Sequence, residues 1–427
     1  MKKVHLLFVI LAVFAFDNAF AQKLNNRKVR RLFGQSEIMQ EHFVGFMLQE
    51  QGGKIIYEQN SGRYFVPASN TKLLTLYAAL NILGDSVPGL KYHINADSLI
   101  VWGTGDPSFL HPKLDNGRVF DFLSNSPYSL YLAKDPEIEF EPSPWRADLS
   151  HLPIYANVTT IRSDSSRNLH VSPFSILRYL RVDSTMISDR FTFRRSKTGN
   201  ELLMPNLPIP VGLESQIPFP MDLEVTKILL EDTLKRDLTL IMRRKPTEVK
   251  TIFSIPSDSL YRHMMLPSDN FLAEQILLLC SGMIGDTLDI SKTIEFSLKN
   301  HLSDLENRPI WEDGSGLSRF NLFTPKSLLQ VLNKLEQKVG DDKRLKLFLP
   351  AGGMSGTLRN AYKTDNGVPF VWAKTGSLRY MHLQSGWIET RKGKVYRYVF
   401  MNNNFIRPTA EVRNEMVKIM TEIHEEY

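Results

Sequence analysis

One cysteine in 427 residues, Cys280, leaves nothing for it to pair with. An intrachain disulfide framework and a cysteine-built metal site are therefore excluded. Cys280 falls in the apolar stretch Phe271–Cys280 and reads as a small buried hydrophobe rather than a reactive thiol. The ten histidines include no HExxH pair, and no glycine-rich phosphate loop of the GxxxxGK type occurs. Internal repeats and low-complexity segments are also missing. Beyond the first residues no apolar run is long enough to span a bilayer, which takes about 20 residues. No metal, organic cofactor or transmembrane anchor is implied. The formal charge of +6 is too diffuse to identify a partner, and none of nucleic-acid type is expected.

What is present begins with the leader. Lys2 and Lys3 precede an apolar run from Val4 to Phe16, and Ala19-Phe20-Ala21 places small residues before Gln22. That order is the pattern of a cleaved secretory signal over residues 1–21, and no cysteine follows it to carry a lipid. Its removal takes away two lysines and one aspartate, which lowers the charge from +6 to +5. The remaining chain is long enough for two or three domains of roughly 150 residues. Apolar content of 42% with 23% charged residues is that of a globular protein with ample core.

Residues 30–66 alternate apolar stretches with turn signals and read as an antiparallel meander, with a helix near Val29–Ile38. Thr71–Leu83 has helical spacing and stops at Gly84. From about 88 to 222 prolines are frequent and strand-like runs are short, as in Ser98–Trp102, Val158–Arg162 and Arg190–Arg194. Helical periodicity returns at Leu223–Lys235, Phe271–Cys280, Ile290–Leu302, Lys326–Gln337 and Thr409–Tyr427. Before the last of these, Phe370–Lys374, Leu383–Glu389 and Lys394–Asn402 read as consecutive strands. The expected layout is an α/β (α+β) catalytic domain over 22–88 plus 223–427, split by a mostly β inserted domain over 89–222.

Three constellations carry chemistry. In Ser69-Asn70-Thr71-Lys72, positions i and i+3 of a helix share a face, so the Lys72 amine can reach the Ser69 hydroxyl. A serine hydroxyl is a weak nucleophile until a base takes its proton, and a desolvated lysine can serve. An N-cap serine followed by a solvated lysine would look the same, but this is the one Ser-x-x-Lys found, and a proline marks its helix start. Ser268-Asp269-Asn270 precedes an apolar helix. Ser268 could relay a proton while Asn270 holds a substrate amide, or both could merely cap the helix; Ser166-Arg167-Asn168 shares the pattern. Lys374-Thr375-Gly376-Ser377 ends an apolar strand. Lysine and hydroxyls suit a substrate carboxylate, Gly376 lets backbone approach closely, and the Ser377 and Ser69 N–H groups could form an oxyanion hole. Lys197-Thr198-Gly199 has the same letters, but it reads as a hairpin tip and comes before the Ser-x-Asn element. The three motifs in this order, separated by 199 and 106 residues, are those of serine β-lactamases and penicillin-binding proteins.

On these residues the chain resembles the low-molecular-mass class C penicillin-binding proteins, the peptidase S13-type D-alanyl-D-alanine carboxypeptidase/endopeptidase family. Asp313-Gly314-Ser315-Gly316-Leu317-Ser318-Arg319 with Asn321, Thr324 and Pro325 resembles a long signature of that family. Gly103-Thr104-Gly105-Asp106-Pro107 and Gly352-Gly353 through Gly356-Thr357-Leu358 resemble two others. The resemblance implies a transpeptidase-like core with an antiparallel sheet flanked by helices. It makes Ser69 the acylated nucleophile and Lys72 its base, with Ser268 and Asn270 assisting. Lys374, Thr375 and Ser377 would take the substrate's terminal carboxylate, with Gly376 beside them in the substrate-binding strand. Peptidoglycan stem peptides ending in D-Ala-D-Ala are the implied substrates, β-lactams the inhibitors and the periplasm the compartment.

There are departures. The insertion looks short for the family, Ser377 stands where threonine is common, and Tyr380-Met381-His382 is less typical. Two alternatives remain at this point. A β-lactamase would need an element that positions a deacylating water, and no ExxLN occurs between Asn270 and Lys374. An inactive wall-binding scaffold on the same fold would not need the reactive groups that all three motifs retain.

Overall fold

The computed structural model describes residues 24–51, 53–135, 147–196, 199–219, 221–285 and 287–426. The leader over 1–21 and the Lys197-Thr198 decoy lie outside these. Ten strands build two five-stranded sheets: β1 (Phe43–Glu50), β2 (Ile55–Gln59), β3 (Ser86–Asn95), β4 (Ser98–Gly103), β5 (Ser129–Lys134), β6 (Leu238–Met242), β7 (Lys250–Pro256), β8 (Val371–Leu378), β9 (Met381–Glu389) and β10 (Val395–Asn403). The longer helices are α1 (Asn26–Gln35), α2 (Lys72–Ile82), α3 (Leu223–Leu234), α4 (Ser257–Met265), α5 (Asn270–Ile284), α6 (Ile290–Asn300), α7 (Pro325–Val339) and α8 (Thr409–Glu426). The chain divides into two compact units. Of the described residues, one holds those up to Leu73, Leu305–Trp311 and those from Gly316 on; the other holds those within Leu74–Asp304 and Glu312–Ser315.

In the first unit the sheet order is β8-β9-β10-β1-β2, antiparallel throughout. The expected local meander is only β1 and β2. The other neighbour of β1 is β10, from the far end of the chain, with Phe46 opposite Phe400. Phe33 of α1 closes this pair into an aromatic cluster, its ring centroid 4.8 Å from Phe46 and 5.2 Å from Phe400. Helix α8 buries Val412, Met416, Ile419 and Ile423, a stripe at helical spacing, in the same core. Helix α7 starts where the sequence dictates. Thr324 and Ser327 form a capping box, Pro325 occupies the first turn, and Gly340 ends the helix with a left-handed φ of 66°. Its face of Leu328, Leu332 and Leu335 is fully buried. Each such side chain contributes about 1.5–3 kcal/mol of burial.

In the second unit the sheet order is β6-β5-β4-β3-β7. Two three-stranded sheets of short strands follow within residues 158–218. Among the described residues of 89–222 strands are the main regular structure, beside one α-helix at Arg118–Ser124 and two short 3₁₀ turns. The sheet they enter is completed by β6 and β7, from beyond residue 222. Helix α5 is capped by Asp269, whose carboxylate accepts from the Leu272 N–H. It is buried almost all round, as its run of apolar residues requires. Among the described residues no helix is long and apolar enough to cross a membrane.

Candidate active site

Four residues before Ser69 the chain is already fixed. Phe65 exchanges two backbone hydrogen bonds with Phe323, at 2.8 and 2.9 Å, and its ring stacks on Phe43. After Pro67 the chain enters a 3₁₀ turn over Ala68–Thr71 that runs straight into α2. Ala68 takes a left-handed φ of 45°, unusual for a residue with a side chain. The turn is tied by the Thr71 hydroxyl, which donates to the Ala68 carbonyl at 2.8 Å. Gly316 packs against it so closely that a Cβ there would lie 1.8 Å from the Ala68 oxygen, and its own φ is +83°. The second glycine of the Asp-Gly-Ser-Gly run is therefore a steric requirement of the Ser69 turn.

Within this turn Lys72 Nζ and Ser69 Oγ are hydrogen-bonded at 3.1 Å, and Lys72 is fully buried. Gly376 of β8 comes in from the side: a Cβ on it would stand 2.9 Å from the Ser69 nitrogen. Any larger residue would push the strand off the nucleophile. Lys374 lies on the same face of β8 as Gly376, is also fully buried, and donates to the Thr375 carbonyl at 2.6 Å. Burial lowers the pKa of Lys374 well below the ordinary lysine value, and the Lys72 charge lowers it further. Two cations in one buried site disfavour each other, and that favours a neutral Lys374 amine.

Thr375 and Ser377 alternate to the other face. The Thr375 hydroxyl donates to that of Thr357 at 2.6 Å, which ties Gly356-Thr357-Leu358 to the strand. Ser377 Oγ and His382 Nδ1 share a hydrogen bond at 2.7 Å across the β8–β9 pair. Burial first, and the Arg413 charge second, hold the His382 pKa at about 4, so the ring is neutral at pH 7. In the first unit Lys72 and Gly376 thus stand against Ser69, with Lys374 on the same face of the strand as Gly376 and Thr375 and Ser377 on its other face.

Ser268 and Asn270 belong to the second unit. Ser268 has a left-handed φ of 65°, and Asn270 is the first residue of α5. On the same helix the buried Glu274 accepts from the Gly314 and Ser315 N–H groups, each at 2.9 Å. The Thr75 hydroxyl donates to the Gly314 carbonyl at 2.7 Å. Glu274 escaped the sequence reading, yet a lone acid inside the run Phe271–Cys280 was the available signal. In the Gly-Thr-Gly-Asp-Pro segment Gly105 (φ +88°) lies against α5, and its carbonyl accepts from Gln275. Asp106 is buried, accepts from the Ser108 N–H and hydroxyl, and has its pKa raised to about 6 by burial. These residues shape the framework. Cys280 is buried, and burial pushes its thiol far above the usual range. Among the described residues no three His, Cys, Asp or Glu side chains are grouped to hold a metal ion.

Residues 26–117 and 225–425 match the D-Ala-D-Ala carboxypeptidase 3 (S13) family. The chain belongs to this family. It is a serine-type D-Ala-D-Ala carboxypeptidase by that membership, as the resemblance implied. Residues 118–224 fall outside the match. Penicillin-sensitive carboxypeptidase A of Dictyostelium discoideum is 25% identical over 86% of this chain and 84% of its own length. D-alanyl-D-alanine carboxypeptidase DacB of Haemophilus influenzae is 28% identical over 42% of this chain and 39% of its own. The crystal structure of penicillin-binding protein 4 from the same organism, in complex with a β-lactam, superposes with a TM-score of 0.71. It is 20% identical and covers 93% of this chain and 99% of that one. A predatory endopeptidase of Bdellovibrio bacteriovorus superposes at 0.52, with 15% identity, covering 90% and 93%. The penicillin-binding fold expected from the motifs is the one observed.

Proposed function

We propose that this S13 carboxypeptidase works by acyl transfer through Ser69, on peptidoglycan stem peptides ending in D-Ala-D-Ala. The carrying observation is the 3.1 Å contact between the Ser69 hydroxyl and a fully buried lysine amine. As neutral amine, Lys72 takes the hydroxyl proton while Ser69 Oγ bonds to the carbonyl between the two D-alanines. The N–H groups of Ser69 and Ser377 take the developing oxyanion. The tetrahedral centre then collapses, the C–N bond breaks, and D-alanine leaves with the proton returned from Lys72. Ser268 is assigned the proton relay and Asn270 the substrate amide, both on their motif. Lys374, Thr375 and Ser377 take the terminal carboxylate. Water next attacks the ester with Lys72 again as base, which releases the shortened peptide and restores Ser69.

Cleavage of a D-Ala cross-link uses the same steps with a larger amine as leaving group. A β-lactam presents its strained amide in place of the peptide and acylates Ser69. Residues 1–21 direct the enzyme across a membrane, to a periplasm where this substrate is found, and 89–222 is an inserted domain. The test is an intact-mass time course with benzylpenicillin beside Ser69→Ala. The expected result is a drug-sized mass gain that persists in the native protein and is absent from the variant. Fast drug turnover without a lasting adduct would mean a β-lactamase. Neither adduct nor turnover would overturn the proposal.

A further inference from the structure

On the face of the first unit's sheet that carries Thr375 and Ser377 lies a cavity of about 490 Å3. Strands β8 and β9, the segment around Thr357–Lys363 and the first turns of α8 line it. Its size falls in the range of small-ligand sites. Its chemistry is one-sided. Arg413 and Lys363 are in the lining and no carboxylate is. Gln384 is fully buried, and its Oε1 already accepts from the Tyr362 and Tyr398 hydroxyls, at 2.5 and 3.3 Å. That fixes the amide orientation and leaves Nε2, which has no partner, as a committed donor. A buried N–H donor without an acceptor costs about 1–3 kcal/mol, so it points to a missing acceptor.

His382 connects this cavity to the reaction. Its Nε2 is also buried and without a partner, while its Nδ1 bonds the Ser377 hydroxyl. Ser377 can donate to a substrate carboxylate only if His382 is the Nδ1–H tautomer and donates to Ser377. That tautomer leaves a lone pair at Nε2, able to accept from an N–H. The cavity thus offers cations and an amide donor for an anion, beside one acceptor.

Resting on the acyl-transfer reading above, we propose that this cavity is a leaving-group subsite for a second carboxylate, beyond the one held by Thr375 and Ser377. A single D-alanine has no group to place there. A larger amino acid or a cross-linked peptide does, so the subsite selects leaving groups that carry an additional carboxylate. Arg413 supplies the charge and Gln384 Nε2 the directional hydrogen bond, while His382 is a positioning residue that aims the Ser377 hydroxyl.

The test compares two acyl-D-Ala peptides with isosteric leaving groups, D-glutamate and D-glutamine. The wild type should cleave the D-glutamate peptide with kcat/KM about tenfold higher, the worth of one charge-assisted hydrogen bond. Arg413→Ala, at an exposed position on α8, should shrink that ratio to about threefold or less, mainly through KM. A wild-type ratio near one, or a ratio that Arg413→Ala leaves intact, overturns the subsite. Benzylpenicillin acylation is read on the same samples. Acylation with no leaving-group preference removes the subsite alone. If the wild type neither acylates nor cleaves, the acyl-transfer reading fails, and D-glutamate binding decides the subsite. A saturable shift of the His382 Nε2 resonance, weakened in Arg413→Ala, supports it; no shift overturns it.

Discussion

The turn around Ser69 and the peripheral strands between residues 147 and 219 are held by opposite means. Around Ser69, backbone is packed on backbone: Gly316 against the Ala68 carbonyl and Gly376 against the Ser69 nitrogen, with no room for a methyl group. The peripheral strands run from two to six residues, and the loops and turns between them leave large apolar side chains in water, Ile187 at 94% and Phe174 at 72% exposure. One tie among them is a side-chain pair, Arg195 on both Asp148 oxygens at 2.8 and 2.6 Å. A reaction that needs atoms held to a fraction of an ångström is built where geometry has no slack. Regions with slack absorb sequence change.

Three substitutions probe the contrast, from severe to silent. Lys72→Ala removes the base at the centre of the rigid frame and should slow benzylpenicillin acylation by about 10²–10⁴-fold, read by stopped-time mass spectrometry. A loss below tenfold would move the base elsewhere. Gly316→Ala touches no substrate, yet it forces a Cβ onto the Ala68 carbonyl at a left-handed φ. It should cost ~3 kcal/mol in denaturant unfolding and slow acylation as the turn shifts. Unchanged acylation would mean that the turn yields after all. Ile187→Ser, in a loop between the peripheral strands, should alter stability by no more than about 0.5 kcal/mol and leave acylation as it was. A large effect there would erase the distinction.

The same contrast governs how much could be read in advance. Ser69, Lys72 and Lys374–Ser377 are legible because their chemistry needs certain residue types at short, fixed spacings. Most helices were legible because α7 and α8 carry clean apolar stripes and α7 has its own start and stop residues. Long-range partnerships were not. Nothing local tells β1 that its neighbour is β10, some 350 residues on, or that β6 and β7 complete the sheet of β3–β5. The Gly314 and Ser315 N–H groups find their acceptor in Glu274, far away in the chain. The Ser377–His382 pair became visible only once the register placed those two residues opposite each other.

Mapping the adduct decides whether Ser69 carries the acyl group. Protein quenched in acid after reaction with benzylpenicillin is digested and its peptides are sequenced by mass spectrometry. One penicilloyl group is expected, on the Ser69 hydroxyl and nowhere else. An adduct on Ser268, Ser377 or any other residue would contradict it.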